Sequence, residues 1–133
     1  METETLPITI YFTLDEPGGT PTFSADPELE KVPWGTCATL VWSLQASGAA
    51  AKDATFCPKK GIYFVSSATY PAPWPNDQPT PVPEASGLQY QVEDPNVKYH
   101  KKDITYKYNV TVIADGKAHV WDPEDEDEGH GGV

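Results

Sequence analysis

The segment from Lys102 to Pro123, KDITYKYNVTVIADGKAHVWDP, restricts the fold more than any other part of the chain. Ile104, Tyr106, Tyr108, Val110 and Val112 alternate with Thr105, Lys107, Asn109 and Thr111, the period of two of a strand with one buried face. Asp115-Gly116 follows, a pair suited to a two-residue type I′ turn because both central residues there need positive φ. Such a turn sets Ala114 against Lys117, Val112 against His119 and Val110 against Trp121. One face then carries Tyr106, Tyr108, Val110, Val112, His119 and Trp121. That face is a core wall, and the rest of the chain is expected to pack on it.

The remaining pattern is one of short strands and turns. Leu6 to Leu14 alternates Ile8, Ile10, Phe12 and Leu14 against Thr9, Tyr11 and Thr13, and Asp15-Glu-Pro-Gly-Gly ends it. Extended pieces are expected at Thr22 to Ala25 and Glu28 to Val32. Thr36 to Leu44 is apolar on both faces, as in a central strand. Gln45 to Lys52 reads as a loop, since its alanines are few and Ser-Gly interrupts them. Ala54 to Cys57, Ile62 to Ser66 and Leu88 to Val92 read as further strands, and Asp94-Pro95-Asn96 as a turn. The stretch 70–86 holds six of the fourteen prolines, a density that predicts neither strand nor helix. About eight or nine short strands at this spacing predict an all-β, antiparallel β-sandwich, with a closed barrel as the alternative. The sandwich is expected over 1–123 as one domain, with 124–133 as a disordered acidic and glycine-rich tail.

Charge narrows the partners. The net charge of −11 includes six carboxylates between Asp122 and Glu128, and nine Lys and Arg without a large cluster make a poor surface for phosphates or anionic lipid. No nucleic acid or membrane partner is expected. METETLP lacks a basic region followed by an apolar run, and no stretch reaches membrane-spanning length, so a cytoplasmic protein is expected. Cys37 and Cys57 do not make a disulfide framework and read as small core residues.

The order Val32-Pro-Trp-Gly35, Leu40-Val-Trp-Ser-Leu44, Gly61-Ile-Tyr-Phe64, a Pro-rich insertion, Tyr106-Lys-Tyr-Asn-Val-Thr-Val112 and Trp121-Asp-Pro123 resembles small uncharacterised bacterial proteins with an immunoglobulin-like or cupredoxin-like sandwich. The resemblance covers residues 28–123 and implies a Greek-key fold without an assigned activity. Blue copper does not fit, because Cys57 is followed by Pro-Lys-Lys-Gly and the only methionine is Met1. An antibody-type core disulfide does not fit either, since Cys57 follows Cys37 too soon for the strand that should carry it.

No nucleophile elbow, zinc motif or phosphate loop occurs, so no catalytic residue, metal ligand or cofactor is nominated. The Pro-rich loop supplies the candidates. Trp74, between Pro73 and Pro75, and Tyr70 either present rings to a partner or fold back to cap the sandwich. The acidic tail is expected to be a solvated run, with any metal held weakly and nonspecifically. His119 is expected in the core wall or at its rim. The reading that results is a non-catalytic module that binds a protein partner or itself, as a homodimer, through the loop and a sheet edge. The alternatives are a carbohydrate-binding module using Trp74 and Tyr70, and an enzyme without a recognisable motif.

Overall fold

The computed structural model of the chain describes residues 2–66, 70 and 72–130. In chain order the strands are β1 (Glu2–Thr13), β2 (Thr22–Asp26), β3 (Leu29–Val32), β4 (Thr36–Ser47), β5 (Thr55–Phe56), β6 (Ile62–Val65), β7 (Thr80–Pro81), β8 (Gln89–Asn96), β9 (Ile104–Ala114), β10 (Lys117–Trp121) and β11 (Glu124–Asp127). Single turns of 3₁₀ helix at Ala49–Ala51 and Pro83–Ala85 are the only helical elements among the described residues.

The strands form two sheets packed face to face. The first has the order β2-β1-β4-β8-β7; the second runs β10-β9-β11-β3, with β5 and β6 also paired to β9. Long-range order comes first from β4, which lies between β1 and β8 as its two apolar faces predict. Its inner residues Ala38, Leu40 and Trp42 have no exposed surface, while Cys37, Thr39 and Val41 are half-buried. Opposite them stand Tyr106, Tyr108, Val110 and Val112 of β9. Trp42 and Tyr108 meet edge to face at 5.5 Å across the layer.

The hairpin register is the one its turn demands: Ala114 opposite Lys117, Val112 opposite His119, Val110 opposite Trp121. Asp115 and Gly116 have φ of 53° and 68°, as a type I′ turn needs. His119 lies in the rim of the wall, with its ring 5.5 Å from that of Phe12.

Four expectations are corrected. The sheets are mixed rather than antiparallel throughout, because β1 runs parallel to β4 and β3 parallel to β11. The Asp94-Pro95-Asn96 turn is instead the end of β8, paired with Thr36 to Ala38 of β4; Pro95 points its missing N–H away from the shared ladder, where no bond is needed. The Pro-rich segment contains β7 and a 3₁₀ turn, two and three residues long, which take up Pro81 as the last strand residue and Pro83 as the first residue of the turn. The acidic segment is not a disordered tail over its described length, since Glu124–Asp127 is a strand between β9 and β3. The reason is register. β11 continues the line of the hairpin past Asp122-Pro123, placing Glu124 opposite Lys107 and Asp127 opposite Ile104, and the Tyr108 amide donates to the Pro123 carbonyl in between.

Candidate functional site

The alternation that fills the core stays apolar along most of each strand and turns acidic at one end. On β8 the inward residues are Tyr90, Val92, Asp94 and Asn96. On β11 they are Asp125 and Asp127, while Glu124 and Glu126 face outward. The longer side chains therefore reach solvent or surface partners: Glu126 lies 4.0 Å from Lys31, and Glu124 accepts a hydrogen bond from the Tyr70 hydroxyl. The shorter aspartates are turned into the gap between the sheets.

There Asp94, Asp125 and Asp127 bring one carboxylate oxygen each within 4.8 Å of the others. Asp94 and Asp125 have no exposed surface, and Asp127 has 5%. Asp94 Oδ1 accepts from Asn76 Nδ2 at 3.1 Å. Asp94 Oδ2, Asp127 Oδ1 and both oxygens of Asp125 have no hydrogen-bond partner among the described residues. Buried polar atoms are seldom left in this state. Desolvation is the main cause that raises the pKa of all three, with the mutual repulsion of the carboxylates adding to it for Asp125 and Asp127. Tyr106, beside them on β9, is raised for the same two reasons.

A polar network encloses the cluster. Asn96 Nδ2 donates to the carbonyls of Val32 and Glu128, both at 2.9 Å, so its Oδ1 is fixed as the acceptor facing His100 Nε2 at 2.7 Å. His100 Nδ1 faces another acceptor, the Lys102 carbonyl, at 2.9 Å. Gly129 closes the same corner: its amide donates to Asp103 at 2.9 Å, and a Cβ there would lie 2.6 Å from the Lys102 carbonyl carbon.

The Pro-rich loop closes the other side. Trp74 is only 9% exposed, stacked on Phe64 at 3.9 Å and edge-on to Tyr106 at 5.1 Å. Of the two arrangements open to it, it takes the capping one, and its ring is not presented to a ligand. Tyr70 is half-buried against Glu124, with Lys107 Nζ 5.2 Å from its ring centre. The exposed aromatic surface lies elsewhere. Trp34 (37%) and Tyr99 (67%) flank His130, at 4.3 and 5.5 Å between ring centres, and Trp34 Nε1 donates to the Lys98 carbonyl.

Sequence reasoning missed the three aspartates because Asp94 falls in Asp-Pro-Asn, a turn signal, and the other two in an acidic run, a signal of solvation. The hairpin register, carried on past Pro123, is the signal that finds Asp125 and Asp127. The two cysteines are free, Cys37 on the outer face of β4 and Cys57 beyond β5 in the other sheet. Among the described residues no helix is long and apolar enough to cross a membrane. Comparisons of the chain with protein-family models and with curated proteins find no match.

Proposed function

We propose that the chain is a non-catalytic binding module of immunoglobulin-like or cupredoxin-like connectivity, and that it holds a protein partner at the end of the molecule carrying Trp34, Tyr99 and His130. The observation that carries this reading is the exposure of two large aromatic rings, at 37% and 67%, on loops tied down by hydrogen bonds. Rigid aromatic anchors lose little freedom on binding and dominate interface energetics. Lys98, Lys101 and Lys102 are exposed around them, a local charge opposite to the −11 of the whole chain. The surface therefore suits a partner that offers an apolar side chain ringed by carboxylates. A binding role is favoured over catalysis because Asp94 and Asp125, the groups with the most perturbed surroundings, have no surface a substrate can touch. The carbohydrate alternative loses its platform at Trp74, which is 9% exposed, with one face stacked on Phe64 and an edge-to-face contact with Tyr106.

The test is photo-crosslinking in cells, with a photoreactive amino acid placed at Tyr99 and, as a control, at the equally exposed Val120, combined with light scattering of the purified chain. Adducts of defined mass at Tyr99 and none at Val120 support the reading. Absence of adducts and of self-association, with glycans quenching Trp fluorescence in a Trp34-dependent way, transfers the site to a saccharide.

A further inference from the structure

We propose that Asp94, Asp125 and Asp127 form a Ca²⁺ site between the two sheets, filled as β11 docks against β9 and β3. The geometry that supports it is the convergence of three carboxylates from opposite sheets to within 4.8 Å. A second, separate observation points to a ligand: Asp125 has no exposed surface and neither of its oxygens has a hydrogen-bond partner among the described residues.

Protons alone do not close this cluster. Asp94 and Asp127 are able to share one proton, which still leaves both oxygens of Asp125 without a hydrogen bond of good geometry among the described residues. Each such atom carries its full desolvation cost. A cation that takes several oxygens at once satisfies all of them together.

The donor set selects the ion. The cluster offers only carboxylate oxygens. Neither thiol joins it, and both nitrogens of His100 are engaged elsewhere. Oxygen-only sites take hard cations. Carboxylate oxygens within 4.8 Å of one another fit the flexible shell of Ca²⁺ more readily than that of Mg²⁺, which demands a near-ideal octahedron and keeps several waters, for which a site without exposed surface has little room. Charge agrees, because a divalent ion offsets two of the three carboxylates. With so little surface, the site fills by assembling around the ion rather than by admitting it afterwards, which couples binding to docking of the strand.

The experiment uses the full chain, stripped with chelator and titrated with CaCl₂ and separately MgCl₂, followed by native mass spectrometry, thermal unfolding and Tb³⁺ luminescence sensitised by nearby Tyr and Trp. The expected result is about one Ca²⁺ per chain, a Ca²⁺-dependent rise in melting temperature larger than that with Mg²⁺, and weakening by at least about tenfold in Asp125→Asn. Glu126→Gln, on the same strand but facing outward, retains the response. That control separates the inward site from diffuse attraction to an acidic run. If Asp125→Asn does not fold, Asp127→Asn replaces it, and the wild-type titration stands by itself. Folded, chelator-treated protein that shows no stoichiometric uptake and no thermal shift at millimolar Ca²⁺ overturns the proposal, as does equal loss of binding in Glu126→Gln.

Discussion

Asp94 of β8 and Asp127 of β11 belong to opposite sheets, yet their carboxyl groups are close enough to share a proton in the gap between them. Neither strand places an acid there by accident of a loop. Both continue the inward alternation that fills the rest of the core.

This arrangement fixes the sign of the pH dependence of the cation-free protein. Asp94, Asp125 and Asp127 all have folded-state pKa values raised above the ordinary aspartate value, Asp127 to about 10. The folded state therefore holds protons that the unfolded chain releases, and stability falls as pH rises. The contribution is whole below about pH 4 and is lost progressively toward the folded-state values, at up to roughly 1.4 kcal/mol per pH unit for each proton retained. Thermal unfolding in chelator at pH 5 and pH 8 checks it. A higher melting temperature at pH 8 contradicts the assignment.

Neutralising one member of the cluster should reverse the usual effect of a buried substitution. Asp125→Asn is expected to stabilise the cation-free chain relative to wild type as pH rises from 5 to 8, because Asn does not titrate and carries no cost of holding a proton that the unfolded chain releases. Denaturant unfolding in chelator measures this, and destabilisation would show that Asp125 has a partner in solution.

Trp74 separates a core role from a surface one. Truncation to Ala removes its stacking on Phe64 and its contact with Tyr106 and is expected to cost about 3–5 kcal/mol. An exposed anchor would cost less than about 0.5 kcal/mol. Chemical denaturation of Trp74→Ala distinguishes the two.

Gly61 is required by close approach. A Cβ there would lie 2.6 Å from the Cys57 carbonyl oxygen and 2.7 Å from Cε1 of the Tyr90 ring, whose hydroxyl accepts from the Gly61 amide at 3.0 Å. Gly61→Ala is expected to cost about 1–3 kcal/mol through overpacking, with part of the loss in that hydrogen bond. A melting temperature unchanged from wild type would mean the β5–β6 turn relaxes freely.

How much was legible depended on whether a residue's local signal agreed with its tertiary position. At Val110, Val112, His119 and Trp121 it did: apolar alternation and Asp115-Gly116 demanded one register, and that register is observed. At Asp94 it did not, because Asp-Pro-Asn is locally a turn and only pairing with Ala38 of β4 keeps it extended. The parallel neighbours β1 and β4 were also hidden, since parallel partners are not joined by a tight turn and leave no mark between them.

By itself, the sequence determined that the chain is all-β, where most strands lie, and the register of its hairpin. Those properties arise from side-chain period and turn stereochemistry, which act between near neighbours. Tertiary structure decided that Glu124–Asp127 is an inner strand, that Trp74 is a core residue, and that Asp94 faces Asp125 and Asp127. An isolated acidic run gains more from water than from pairing. Only when β9 and β3 present open edges on both sides does the hairpin line extend into it, turning every second carboxylate away from solvent and toward the other sheet.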